Sequence, residues 1–245
     1  MTPHSNAPMR LPSEPVPTAL PVLALIALLG GTLVVGVGVV FCYVLQLADR
    51  WRDVVIIWAQ QWPQWGWLIP VTSAAALVML ARWLVQRFAP VASGSGVQHV
   101  EAVMQGEAEP APVAVLPVKF IGGTLAIGSG LALGREGPTV QMGATLGALV
   151  ARVFAFAVED VRRMQSAAAG VGLAVAFNAP MGGVVFVFEE LSRRFESRLM
   201  VATLAACGAA MAVARALLGD HPGFLVTASM PPVPVHLAVY LILSQ

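Results

Sequence analysis

The chain has 245 residues, 58% of them hydrophobic and 11% charged, with a formal net charge of +1 and a mean hydropathy of +0.78. Soluble domains carry roughly 25% charged residues, so this composition describes an integral membrane protein. No Lys/Arg cluster exists that could neutralise several phosphates, which excludes nucleic acid as a partner.

Residues 1–19, proline-rich and without periodicity, are expected to form a disordered tail ahead of a transmembrane domain over 20–245. Pro15 to Ala48 contains no Asp, Glu, Lys or Arg. That run far exceeds the ~7 to 15 residue core of a signal peptide, so it reads as a retained span with a helix over about 20–48. Val54 to Ala81 is also uncharged, and a second helix is expected over about 66–88, ending near Pro90. Arg50 and Arg52 are offset by Asp49 and Asp53. Arg82 and Arg87 stand alone and weigh slightly toward a cytoplasmic location for their segment. Residues 91–109 are polar and glycine-rich, hence a loop, a re-entrant segment or a short half-helix.

From Val113 onward Gly and Pro interrupt the apolar segments at close intervals, giving 113–133, 138–155, 161–178, 181–191 and 199–218. Ser166 to Phe188 is uncharged throughout. Leu199 to Ala214 is uncharged but short for a span, and 181–191 falls well below the roughly 20 residues that cross a bilayer. Interrupted helices survive in a membrane only where protein or an aqueous cavity covers the break, and they point to a transport site. After Pro231–Pro234, residues 235–245 read as the first turns of a further helix.

Gly130 with Gly134, and Gly143 with Gly147, have the four-residue spacing of close helix packing. Cys42 and Cys207 lie in apolar runs, form no ligand pattern and read as buried thiols. No HExxH or cysteine-nucleophile pattern occurs, and Ser95 has no nearby base other than His99, so an enzyme is not expected.

Three stretches carry chemistry. In "GREGPTV", Pro138 marks a helix start. A helix N-terminus offers free N–H donors and roughly half a positive charge, which makes it an anion site. Glu136 stands where such an anion would sit, either as a tethered competitor for the site or as a cap paired with Arg135. In "SGSGVQ", Ser95 is either part of a flexible linker or a hydroxyl offered to an anion at the entry to a half-helix. In "FNAPMGGVVFVFEELSRRF", Asn178-Ala-Pro ends one helix and begins another, and Glu189 and Glu190 then precede Arg193 and Arg194. These are either solvated pairs at a helix exit or a partly buried proton acceptor whose environment favours its neutral form.

In this order the stretches resemble the CLC family of chloride channels and proton-coupled chloride exchangers. The likeness runs from about Pro21 to the end of the chain. It rests on "GSG" at 94–96, "LPVKF" at 116–120, "GREGPTVQ" at 134–141, "AAAGVGLAVAFNAPMGG" at 167–183 and "FEE" at 188–190. The resemblance implies an all-α membrane fold, the first inverted-repeat half of a CLC-type architecture, with tilted, interrupted and half-spanning helices. It implies that Glu136 is the gating glutamate and that Ser95 coordinates the inner chloride. The N–H groups around Arg135, Glu136 and Gly137 would line the outer anion pathway. Glu190 would be the proton glutamate of exchangers, with Glu189 beside the same route.

The expected function is therefore proton-coupled chloride antiport, with chloride and protons as the transported ions and no cofactor or metal. The alternatives are an uncoupled anion channel, or a truncated fragment that needs a second half. A homodimer and a multi-pass location in a prokaryotic cell membrane are implied by the resemblance. Two departures stand out: Gln98 and His99 replace the family's usual Pro and Glu, and the chain reads as the first half plus the opening turns of the next, truncated there, without the later half-helix or the tyrosine that closes the inner site, which neither Tyr43 nor Tyr240 matches.

Overall fold

Helix α1, Leu20–Ala59, opens the computed structural model, which describes residues 18–62, 64–192 and 196–218. Its 40 residues, at 1.5 Å each, make a rod about 60 Å long, roughly twice the hydrocarbon thickness of a bilayer. The helix continues past the end expected at Ala48 because the charges beyond it do not break a helix. Arg52 pairs with Asp49 at 2.8 Å, one turn apart, and with Asp53 at 3.3 Å. Such pairs sustain a helical turn in water. Leu23, Ile26, Gly30, Val34, Gly38, Phe41 and Leu45 run along the buried stripe of α1, at the three- and four-residue spacing of one helical face.

Helix α2, Leu68–Phe88, packs chiefly on α4 and is otherwise exposed along its length, with Ala81 its one buried residue. An apolar helix with so little protein cover is suited to lipid. The stretch over 91–109 resolves into the half-helix among the three options. A single 3-10 turn, Pro90–Ala92, leads to α3, Val97–Gln105. α3 forms despite Gln98 and His99 because Gly96, at φ 87°, turns the chain into it, and Gly106, at φ 83°, closes it. Helix α4, Val115–Gly128, is a short apolar helix.

The centre of the molecule is the pair α5, Glu136–Val153, and α6, Val158–Phe177. Gly143 and Gly147 let their backbones meet: a Cβ at 143 would fall on the Ala168 carbonyl oxygen, and one at 147 would lie 2.5 Å from that of Met164. The close-packing expectation holds for this pair. It fails for Gly130 and Gly134, which lie in the α4–α5 connection, where Gly130 takes φ 99° and no helix surrounds either residue.

Asn178, left-handed at φ 54°, ends α6, and Pro180 starts α7, Pro180–Phe186, as the Asn-Ala-Pro sequence requires. α7 runs on as a π-helical segment, Val187–Ser192. Helix α8, Ser197–Leu218, has 22 residues and so exceeds its uncharged stretch. It packs on α1 and α6. Among the described residues three helices are long and apolar enough to cross a membrane, over Leu20–Ala59, Leu68–Phe88 and Ser197–Ala216. The expected tail up to residue 17, the Pro231–Pro234 connection, the helix beginning after it, and Tyr240 lie outside the described residues.

The starts of α1, α6 and α8 are tied together by one carboxylate. Asp160, 0% exposed, accepts the Thr18 backbone N–H at 2.9 Å and pairs with Arg163 at 2.7 Å and Arg198 at 3.5 Å. Arg198 also donates to the Thr18 carbonyl at 2.8 Å, and Arg163 donates to Glu196 at 2.7 Å. Burial by itself would raise the Asp160 carboxyl. The donors from Thr18 and the Arg163 guanidinium outweigh it and hold the group below the usual carboxylate range.

Candidate functional site

Two backbone features, the turn before α3 and the start of α5, meet at one cavity. In the first, Gly94 at φ 68° and Gly96 at φ 87° flank Ser95, so the chain reverses in two sharp steps that only glycine makes without strain. Two distant side chains brace this turn. Lys119 on α4 donates to the carbonyl oxygens of Ala92, at 2.9 Å, and Gly94, at 2.7 Å. Gln141 on α5 donates to that of Val91 at 2.8 Å. Ser95 is exposed, and its hydroxyl oxygen accepts the Val97 N–H at 3.3 Å.

The second feature begins two residues earlier than the expected helix start: Glu136 is itself the first residue of α5, and Pro138 lies within the first turn. Proline is tolerated there because the N–H groups of a first turn have no intrahelical acceptor. The Thr139 hydroxyl donates to the Glu136 carbonyl at 2.8 Å. The Glu136 carboxylate folds back over Gly134, filling the space a side chain there would need. Among the described residues no ion pair joins Glu136 to Arg135, so of the two sequence readings the cap paired with Arg135 is not the arrangement found. Arg135 stands at the N-cap position without a side-chain capping bond.

Gly137 closes the two features on each other, since a Cβ there would lie 2.8 Å from the Ser95 carbonyl oxygen and 3.1 Å from its Cα. Ser95, Lys119, Gly134, Glu136 and Gly137 thus share the lining of a cavity of about 530 Å³ between α2, α4 and α5. A hydroxyl, the free N–H groups of a helix start and an ammonium converge there with one carboxylate. That set suits a small anion competing with the carboxylate.

The structure does not bring every expected residue to this cavity. Glu189 and Glu190 sit on the π-helical segment and both are exposed, so the partial burial expected for a proton acceptor is not found. The wide turn directs Val187, Phe188 and Leu191 inward and leaves both carboxylates outside. Arg193 and Arg194 lie outside the described residues. Gln98 is exposed and His99 half-buried, and neither lines the cavity.

Lys119 and Gln141 are the residues whose part sequence reasoning missed. The signal for Lys119 was available: it is the single lysine of the chain, placed in an apolar helix where an ionised group is costly. Gln141 carried no comparable signal, because its contact is made across 50 residues of chain.

Comparison with known proteins adds the following. The family model described as voltage gated chloride channel matches residues 77–245. The H(+)/Cl(-) exchange transporter ClcA of Vibrio vulnificus strain YJ016 is 41% identical over 182 residues, covering 73% of this chain and 39% of that protein. The ClcA exchange transporter of Salmonella paratyphi B is 36% identical over 229 residues, covering 91% of this chain and 48% of that protein. The crystal structure of a slow cyanobacterial Cl-/H+ antiporter superposes with a TM-score of 0.78 at 31% identity, over 90% of this chain and 52% of that one. A eukaryotic CLC transporter, at 22% identity and a TM-score of 0.65, shares the fold over 84% of this chain and 39% of its own. The chain spans about half the length, or less, of the relatives it matches.

Proposed function

Because the chain belongs to the voltage gated chloride channel family, we propose that it forms the gate-bearing part of a proton-coupled chloride antiporter. The observation that carries this reading is the single cavity shared by Ser95, the start of α5 and the Glu136 carboxylate. Ionised Glu136 and chloride compete for the same N–H groups, so one must leave for the other to bind. Protonation removes the charge on Glu136 and with it the carboxylate's hold on the helix start, which frees the position for chloride. Glu190, with Glu189 beside it, receives protons from the aqueous side and passes them toward Glu136. Relatives named as H(+)/Cl(-) exchange transporters support exchange over passive conduction.

One observation favours a narrower reading of the chain alone. Ser95 and the connection over residues 131–134 are exposed on the open side of the cavity, and lipid cannot satisfy polar groups, each of which costs several kcal/mol unpaired. The pathway is therefore completed by a second half, from continuing polypeptide or a partner chain. Bacterial relatives support a multi-pass location in a prokaryotic inner membrane, and the family resemblance supports a homodimer.

The test is reconstitution of the full-length protein in liposomes. An imposed chloride gradient should drive protons uphill in the opposite direction. Chloride flux with no linked proton movement would identify an uncoupled channel instead.

A further inference from the structure

We propose that Lys119 and Gln141 are positioning residues for anion binding, acting through the turn that carries Ser95; this rests on the antiporter reading of the same cavity. A backbone turn that is to hold an anion presents its N–H and O–H groups, but it also carries carbonyl oxygens whose negative ends repel the ligand. Over residues 91–94 three of these oxygens are covered. The Lys119 ammonium takes those of Ala92 and Gly94, and the Gln141 amide takes that of Val91.

The two braces come from different helices, α4 and α5, and grip the turn from both ends. Gln141 bonds Val91 on one side of Ser95. On the other, its side chain lies so close under Gly96 that a Cβ there would collide with the amide. Ser95 is therefore held between two points fixed by one residue, while Lys119 covers the peptide groups between them.

Lys119 contributes a second effect. It is 5% exposed and bonds two neutral carbonyls, and among the described residues no carboxylate forms an ion pair with it. A buried ammonium outside any ion pair adds positive potential to the cavity wall, and weak screening in a low-dielectric surrounding extends that attraction to a bound anion. The ammonium thus offsets carbonyl repulsion and supplies a positive charge beside the anion position.

The experiment measures chloride binding calorimetrically, alongside flux in liposomes, for full-length protein carrying Lys119→Met, Gln141→Leu, and each combined with Ser95→Ala. Losing hydrogen bonds from a charged donor should weaken chloride binding by on the order of tenfold in Lys119→Met. Gln141→Leu should weaken it by about threefold, in line with one neutral hydrogen bond. It should also fold normally, since the change removes a buried amide oxygen that has no partner. In the Ser95→Ala background the Gln141→Leu effect should shrink to about twofold or less, because that brace acts through the turn, whereas Lys119→Met should keep the part of its effect that comes from its charge.

Binding within twofold of the parent in both single variants overturns the inference and leaves the antiporter reading standing. So does a Gln141→Leu weakening that persists in full without the Ser95 hydroxyl. If Lys119→Met fails to fold, Gln141→Leu decides alone by the same criteria. A parent that binds no chloride overturns the antiporter reading and this inference together.

Discussion

The Glu136 carboxylate lies over Gly134, in the space that a side chain on residue 134 would occupy. The acid is thereby accommodated by its own chain, two residues back, instead of by the neighbouring Arg135. Gly134→Ala should drive the carboxylate out of this position while the helix start stays intact, because the group displaced is the mobile end of a side chain. Expected is chloride flux that persists with weaker proton coupling. Glu136→Gln, which cannot ionise, should keep flux and abolish coupling altogether. Proton and chloride fluxes measured together in liposomes decide both, and unchanged coupling in Glu136→Gln would remove the residue from the gate.

Gly137 touches Ser95 through backbone atoms, which cannot rotate aside. A Cβ 2.8 Å from the Ser95 carbonyl oxygen must push the turn away. Gly137→Ala should cost about 1 to 3 kcal/mol, the usual range for overpacking. It should also weaken chloride binding, whereas an alanine at Gly208, which has open space beside it, should do neither. Thermal unfolding and chloride calorimetry on the two variants check this contrast.

Glu189 and Glu190 are both exposed on the π-helical segment, and the antiporter reading gives the proton to the second. Glu190→Gln should abolish proton transport with chloride flux retained. Glu189→Gln should slow proton transport several-fold without ending it. Stopped proton movement in Glu189→Gln with normal coupling in Glu190→Gln would reverse the two roles.

Asp160 anchors three helix starts through Thr18, Arg163 and Arg198. Asp160→Asn leaves Arg163 and Arg198 with one fewer counter-charge in a buried place and should destabilise the protein by about 3 kcal/mol. The folded carboxyl is held below its ordinary value. Its stabilisation is therefore present above the unfolded pKa of roughly 4 and is lost as pH falls through the folded value. Between pH 5 and 8 the difference in melting temperature between parent and Asp160→Asn should stay constant, and it should shrink only in more acidic solution. A difference that varies between pH 6 and 8 would show that another group sets it.

Much of the architecture was legible because membrane helices obey simple length and composition limits. Gly128 to Gly134 and Pro138 mark the break between α4 and α5, whereas no Gly or Pro stands at the α5–α6 junction or between α7 and α8. Asn178 and Pro180 terminate and restart the chain for steric reasons that act locally. The end of α1 was misplaced because charge was read as a boundary, yet Asp49, Arg52 and Asp53 satisfy one another along the helix. Gly130 and Gly134 were misread because four-residue spacing has meaning only inside a helix.

Local composition, proline geometry and backbone hydrogen-bonding rules are enough to make this an apolar, helix-built membrane chain with a carboxylate at a helix start. Packing between separate helices sets the contact of Ser95 with Gly137 and the bracing of the Ser95 turn by Lys119 and Gln141. The same holds for Glu136, which turns to Gly134 and not to Arg135, and for Glu189 and Glu190, which face outward. These relationships depend on where separate helices cross or on which way a side chain turns. Contacts such as Gln141 to Val91 join residues 50 positions apart, and local periodicity holds no record of such distances.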